Sequence, residues 1–365
     1  MIFGASLERF RNMSGSAPLY PFVLEPLERE LIWGGHALAA RYGKPAAPEA
    51  KIGESWECWD ANRVVNGEAA GKTLGELRAQ LGRELTGHAD PAAIFPLLTK
   101  FIDARQALSV QVHPDDAYAR RVEHQPVGKT ECWYVLEAEP HATIVLGWNR
   151  PTSRGEYTER VNDGSLAELL RHVPVKAGDA FYLPAGTLHA IGKGIVLFEV
   201  QQPSDLTYRI FDYNRPGPDG TPRELHVEKA ADVLDYHAGT ASALAPLTYE
   251  LHGLRRTTLV AERHFIVERI ALDSEPRGLD LEGSPLALTA LGAALEIEAR
   301  GTAVRLEAYQ SAVVPAGLET VMLRALGENA ALIAAEPPSD PAAIERRFSR
   351  ASVPVAASTA FLAQF

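Results

Sequence analysis

At 365 residues the chain is long enough for two or three domains, and a composition that is 46% hydrophobic and 23% charged supplies a large core. No apolar run approaches the roughly 18 residues that span a bilayer, and a net charge of −11 argues against general binding to nucleic acid or an anionic membrane. The two cysteines, Cys58 and Cys132, have no paired spacing, which argues against a disulfide framework or a zinc ribbon and fits a reducing cytoplasm.

In chain order, residues 1–18 ("MIFGASLERFRNMSGSAP") lack the basic start, apolar segment and cleavage site of a secretory signal, and read as a loose tail or as sequence before a start at Met13. "TLGELRAQLGREL" places Leu74, Leu77 and Leu81 at helical spacing, with Thr73 and Glu76 as a capping box. "SLAELLRHV" is expected as a second, shorter helix with Ser165 as its N-cap. Around them lie short strands punctuated by Gly, Pro, Asp and Asn: "ALSVQVH", "CWYVLEA", "ATIVLGW", "DAFYLPA", "IVLFEVQQ" and "LTYRIFDY". That pattern predicts a mainly β protein, a sandwich or jelly roll with a few short flanking helices.

An internal echo divides the chain. "VKAGDAFYLPAGTLHAI" (175–191) resembles "LEAYQSAVVPAGLETVM" (306–322), each setting a Pro-Ala-Gly turn after a strand. Two copies of one β unit follow, at 19–240 and 245–337, with 338–365 as a C-terminal extension. Thr320 stands in the second copy where His189 stands in the first, so chemistry at His189 is not repeated.

The candidate chemistry lies on strands. In "SVQVH", Val110 and Val112 alternate with Ser109, Gln111 and His113, and Leu108 extends the apolar side. If the polar side faces a barrel interior, Gln111 and His113 become metal ligands and Ser109 a substrate contact. Lys129 and Glu131 of "GKTE" are likewise two apart, and His189 follows a tight turn. Two imidazoles, a carboxylate and an amide oxygen suit zinc or another divalent first-row metal. Singly, each residue reads as an ordinary core or surface group. Cys132 points away from Glu131 and reads as buried and inert.

These segments resemble type I mannose-6-phosphate isomerases, in particular the short bacterial form. "LIWGGHALAARYG" and "KIGESWECWD" match the amino-terminal signature, and "FPLLTKFIDARQALSVQVHPDDAYA" the central one. "GKTECWYVLEAEPHATIVLGW" and "DAFYLPAGTLHAIGKGIVLFEVQQPSDLTYRIFDYNR" follow in order, so the likeness runs from about 20 to 235. It implies two cupin domains, the first catalytic and metal-binding, the second degenerate and metal-free. It assigns Gln111, His113, Glu131 and His189 to one Zn2+ per chain. Arg209 matches an arginine implicated in catalysis, Glu199 and Lys129 are the candidate acid/base groups, and Ser109, Lys100 and Arg215 line the pocket, Arg215 near the substrate phosphate.

The reaction implied is interconversion of mannose 6-phosphate and fructose 6-phosphate through an enediolate, by a cytoplasmic monomer or homodimer that engages neither nucleic acid nor membrane. Two alternatives stay open: an iron-dependent oxygenase on the same fold, whose ligand set is usually richer in His, and a non-catalytic sugar-phosphate sensor.

Overall fold

The computed structural model describes residues 19–47, 49–87, 94–217, 220–238 and 242–365. The tail at 1–18 and the start at Met13 lie outside the described residues.

The strands form two sandwiches. The first pairs a six-stranded sheet, in the order Leu27–Gly35, Ile52–Cys58, Leu98–Ala104, Ile195–Gln201, Glu131–Ala138, Ala180–Leu183, with a five-stranded sheet, Tyr208–Phe211, Val110–Val112, His189–Ala190, Thr143–Trp148, Leu170–Pro174. The second pairs a seven-stranded sheet, Phe22–Leu24, Ser311–Val314, Leu286–Leu291, Ala331–Glu336, Ile266–Ala271, Leu254–Ala261, Leu247–Leu251, with a four-stranded one, Arg277–Asp280, Thr320–Ala325, Leu295–Ala299, Thr302–Leu306.

Set Ala180–Leu183 against Ser311–Val314, the two strands before the Pro-Ala-Gly turns, and the large sheets have the same strand order outward from them. A β-bulge recurs as well. Trp56 pairs with Lys100 and Cys58 with Thr99; at the same place Thr258 pairs with Glu268 and Val260 with Val267. The sheets are thus two copies of one frame, with two additions. Tyr208–Phe211 extends the smaller sheet of the first sandwich. Phe22–Leu24, expected with the first unit, pairs instead with Ser311–Val314 at the edge of the second, because its three apolar residues find a free strand edge and a buried face there.

The two large sheets pack against each other. "IVLFEVQ" shows how: Val196, Phe198 and Val200 join Phe101, Val267 and Ile333 between the sandwiches, while Ile195 and Leu197 join Ile102 and Trp133 inside the first. A strand buried on both faces reads as a continuous apolar run, and Glu199 is its one charge, on the interior side.

Helices cover the outer face of the five-stranded sheet. Val110 and Val112 pack there with Tyr157 of the helix Arg154–Asp163 and Ala230 of the helix Val227–Val233. Leu108 departs from the expected alternation. It precedes the strand and turns inward with Trp33 and Ile102.

The helix Leu74–Leu81 carries the expected capping box, with Leu74, Leu77 and Leu81 buried, and ends where Gly82 takes φ 51. The helix expected at "SLAELLRHV" is a correction. Leu166–Leu169 forms one 3-10 turn without a Ser165 side-chain cap, and Leu170–Pro174 is a strand, because pairing with Thr143–Trp148 overrides local preference. The C-terminal extension forms helices Ala343–Arg350 and Val355–Leu362, whose Ile344, Phe348 and Phe361 pack on Tyr249, Leu251 and Ile266 of the second sandwich.

Candidate metal centre and adjoining cavity

Register brings the candidate residues together. In the five-stranded sheet Arg209, Gln111 and His189 are consecutive cross-strand partners. In the six-stranded sheet Trp56, Lys100, Glu199 and Trp133 form a second row. Partners in register share a face, and both rows face the space between the sheets. The polar side of "SVQVH" therefore faces the interior.

His113, Glu131 and His189 are all buried, with ligand atoms within 4.8 Å of one another. Nδ1 of His113 lies 2.8 Å from the Leu206 carbonyl and Nδ1 of His189 lies 2.9 Å from that of Thr187. Donation to those carbonyls fixes each ring with Nε2 turned to the cluster as a lone pair. His113 Nε2 is 3.2 Å from Glu131 Oε1 and His189 Nε2 is 3.6 Å from Oε2, yet His113 Nε2 and both Glu131 oxygens are buried without an aligned hydrogen bond. Buried polar atoms are seldom left so. Burial, then the charge of Lys129, pushes His113 down to about 3; burial also lowers His189. Burial alone would raise Glu131, but Lys129 and His113 outweigh it and hold the carboxyl well below its usual range. Two neutral imidazoles and a carboxylate result, the protonation states a divalent metal requires. Gln111 adjoins them, its Nε2 3.2 Å from His189 Nε2 and its Oε1 3.5 Å from Ser109 Oγ. A half-turn of the amide brings the oxygen to the cluster. The residues present fit a metal ion.

Gln111 and Lys129 also line a cavity of about 760 Å³, with Trp56, Lys100, Ser109, Glu199, Thr207, Arg209 and Arg223 among its walls. Lys129 Nζ lies 2.8 Å from Glu131 Oε1. Glu199 receives a hydrogen bond from Trp133 Nε1 at 2.8 Å and sits 3.4 Å from Lys100 Nζ. Burial and then the Glu131 charge raise its carboxyl to about 7, against the pull of Lys100 and Lys129. Arg209 donates to the Glu224 carbonyl at 3.0 Å, while its Nε is buried without a partner. Burial, then the neighbouring Arg223, lowers its pKa.

Of the ten site residues expected from sequence, nine lie in the cluster or the cavity wall; Arg215 does not line the cavity. Tyr213 and Asn214 both take left-handed backbone, φ 55 and 51, and reverse the chain. Arg215 then bonds Asp212 Oδ1 at 2.5 Å and the Ala107 carbonyl at 2.7 Å. Arg223, in irregular chain and unmarked by any periodicity, reaches the cavity instead. Trp56 was also missed. Arg29 lies over its ring at 4.6 Å and Lys100 at 4.8 Å from the centroid, and its Nε1 donates to Glu54 at 2.7 Å. The alternation of Glu54 and Trp56 in "GESWEC" was the available signal.

The sequence profile for phosphomannose isomerase type I, catalytic domain, matches residues 22–143. Mannose-6-phosphate isomerase of Streptococcus mutans is 43% identical over 252 residues, 68% of this chain and 77% of that protein. The chain belongs to the type I phosphomannose isomerases. Mannose-6-phosphate isomerase ManA of Bacillus subtilis is 46% identical over 220 residues, 59% of this chain and 68% of its own. The crystal structure of mannose 6-phosphate isomerase from B. subtilis superposes with a TM-score of 0.79 at 33% identity, covering 86% of this isomerase and 99% of that chain. A mutant phosphomannose isomerase from Salmonella typhimurium, at 16% identity and a TM-score of 0.69, covers 87% of this chain and 99% of its own and shares the fold.

Proposed function

We propose that this isomerase interconverts mannose 6-phosphate and fructose 6-phosphate, with one zinc ion held by Gln111, His113, Glu131 and His189. The observation that carries the reading is the His113–Glu131–His189 cluster opening, through Gln111 and Lys129, into a cavity that also holds Glu199, Lys100 and Arg209. When bound, the metal supplies Lewis acidity toward the substrate's C1 and C2 oxygens.

The chain's own residues do the rest. Glu199 moves the proton between C2 and C1, one oxygen fixed by Trp133 and the carboxyl near neutrality, where a base is effective. Lys100, 3.4 Å from Glu199, holds that carboxylate in place. Arg209 carries no carboxylate partner within 4 Å among the described residues, so its charge is available to the enediolate as it forms. Lys129 keeps the Glu131 carboxylate oriented. Ser109 and Thr207 offer hydroxyls to the sugar. Two buried free thiols, Cys58 and Cys132, support a reducing, cytoplasmic setting.

The test is a coupled isomerase assay on metal-replete protein with mannose 6-phosphate, zinc content measured in parallel. Turnover that requires the metal is the expected result. Binding of the sugar phosphate without turnover would make the protein a sensor, and oxygen consumption would make it an oxygenase.

A further inference from the structure

The three segments that carry the metal-cluster residues meet at one hydrogen-bonded knot outside the sheets. Residues 128–130 precede the strand Glu131–Ala138 and belong to no ladder, so pairing between strands does not place Lys129. Their three successive amides are nevertheless all bonded, as buried backbone requires. Gly128 N–H donates to Asp116 Oδ1 at 2.8 Å, Lys129 N–H to the Pro114 carbonyl at 3.0 Å, and Thr130 N–H to Gln202 Oε1 at 3.0 Å. Gln202 stands one residue past the end of the ladder, where Gln201 pairs with Glu131. It donates its own N–H to the Thr130 carbonyl at 3.1 Å and its Nε2 to Asp116 Oδ1 at 2.9 Å. One carboxylate oxygen and one buried side-chain amide thus tie 128–130 to 114–116. The two backbones lie in contact: a Cβ on Gly128 would stand 2.4 Å from the Pro114 carbonyl oxygen. The third segment joins through the Pro-Ala-Gly turn before His189, whose Ala185 and Gly186 amides reach Thr130 Oγ1 at 3.4 Å and the His113 carbonyl at 2.9 Å. Burial alone would raise the Asp116 carboxyl, but the bonds from Gly128 and Gln202 hold it below its ordinary value.

We propose that Asp116 and Gln202 are positioning residues, which set Lys129 and Glu131 against His113 by clamping 128–130 onto 114–116. The proposal rests on the metal reading above and names what fixes the cluster from outside. Glu131 opens its strand directly after the clamped segment, and Lys129 Nζ lies 2.8 Å from Glu131 Oε1. A shift of the segment therefore moves the cation and the carboxylate together. Asp116 acts through Oδ1. Its Oδ2 lies 3.9 Å from Arg120 Nη1 and 3.9 Å from His264 Nε2, beyond hydrogen-bond distance. The clamp therefore uses the oxygen as an acceptor at a fixed place and does not depend on the carboxylate charge.

The test measures zinc affinity by competition with a chelator, and amide hydrogen exchange of 128–130, in wild type and variants of the full chain. Asp116→Ala and Gln202→Ala are each expected to raise the zinc Kd about 10- to 100-fold, the usual cost of removing a group that orients metal ligands from behind, and to speed exchange at 128–130. Asp116→Asn keeps an oxygen at the acceptor position and should stay within about threefold of wild type on both readouts. The double alanine variant should be little worse than the weaker single one, because both residues hold one segment. Zinc affinity unchanged in both alanine variants overturns the proposal, even where urea unfolding shows lost stability, since the residues would then be structural only. An Asp116→Asn variant as weak as Asp116→Ala also overturns it, by showing that the charge matters and not the acceptor. Gln202→Ala and Asp116→Asn carry the test should Asp116→Ala fail to fold. The two readings fail separately. Wild-type protein that takes up no zinc defeats the metal reading, while exchange at 128–130, which needs no metal, still decides whether Asp116 and Gln202 hold the segment.

Discussion

In the first sandwich the row Trp56, Lys100, Glu199 walls a cavity. At the same register points of the second stand Thr258, Glu268 and Ala334. The candidate metal cluster and the neighbouring Gln111 change likewise: Gln111, Glu131 and His189 correspond to Asp280, Leu286 and Thr320. In place of an open cavity, the second interior receives Arg347 from the helix Ala343–Arg350. Its guanidinium is buried, 3.1 Å from Glu268, 3.4 Å from Glu282 and paired with Glu336, while Arg256 and Tyr249 also hold Glu268 at 2.9 and 2.5 Å. One β frame thus accommodates buried carboxylates in two ways. The first sandwich sets its carboxylates beside Lys129 and Lys100 and leaves Glu131 facing two imidazoles at the edge of a cavity. The second closes its carboxylates around the guanidinium of Arg347. Burial of charge demands pairing in either case, and only the first arrangement leaves room for a substrate.

The comparison breaks most visibly at the ligands. His189→Ala should lower kcat on the order of 1,000-fold or more and strip the metal, while Thr320→Ala, at the matching position, should change neither. Metal analysis of both variants decides it, and a tightly held equivalent that survives His189→Ala would give the second sandwich a site of its own. Next comes Arg347→Ala, which strands Glu268, Glu282 and Glu336 and should cost about 3–5 kcal/mol in urea unfolding, with metal content and KM of the folded enzyme preserved. A loss under about 1 kcal/mol would mean that the guanidinium does not hold that interior together.

Arg209→Ala tests the strand Tyr208–Phe211, which has no counterpart in the second sandwich among the described residues. It should lower kcat about 100- to 1,000-fold with metal retained, as loss of a transition-state donor does. Near-complete retention of kcat would remove Arg209 from the chemistry. The smallest effect is in pH. The proposed role of Glu199 as base requires an ionised carboxylate, and burial and then the Glu131 charge raise its carboxyl to about 7. Protonation therefore removes activity, and kcat should fall on an acid limb that lies above the ordinary carboxylate range because Glu199 is buried. A limb near the ordinary 4.5 in a profile from pH 4 to 9 would show that burial does not govern this carboxyl in the working enzyme.

How much of this was legible depended on whether the signal was periodic. The alternation through Val110, Gln111 and Val112 survives folding because one face is covered by helices and the other opens on the cavity. Thr73 and Glu76 announced their helix because a capping box is local. The helix Arg154–Asp163 went unseen, since only Tyr157 of its residues is buried and no apolar stripe marks it. Leu166–Leu169 misled for the opposite reason, having helical composition next to a strand that the sheet demanded. Arg223 and Arg347 gave no warning because their partners are set by tertiary structure. Arg215 was placed by likeness to a family pattern, and the turn at Tyr213 and Asn214 redirected it.

Synthesis runs from one end of a chain to the other, and the pairing of Phe22–Leu24 with Ser311–Val314 makes that order matter. The first described strand leaves the ribosome with no partner, and its partner is among the last strands to emerge. Until then a short apolar edge stays open to any other nascent strand it meets. The first sandwich can assemble its own strands on the ribosome, but the seven-stranded sheet closes only once Ser311–Val314 and Ala331–Glu336 have emerged. Emergence of the second sandwich, rather than completion of the first, is therefore the moment at which the two become one cooperative body.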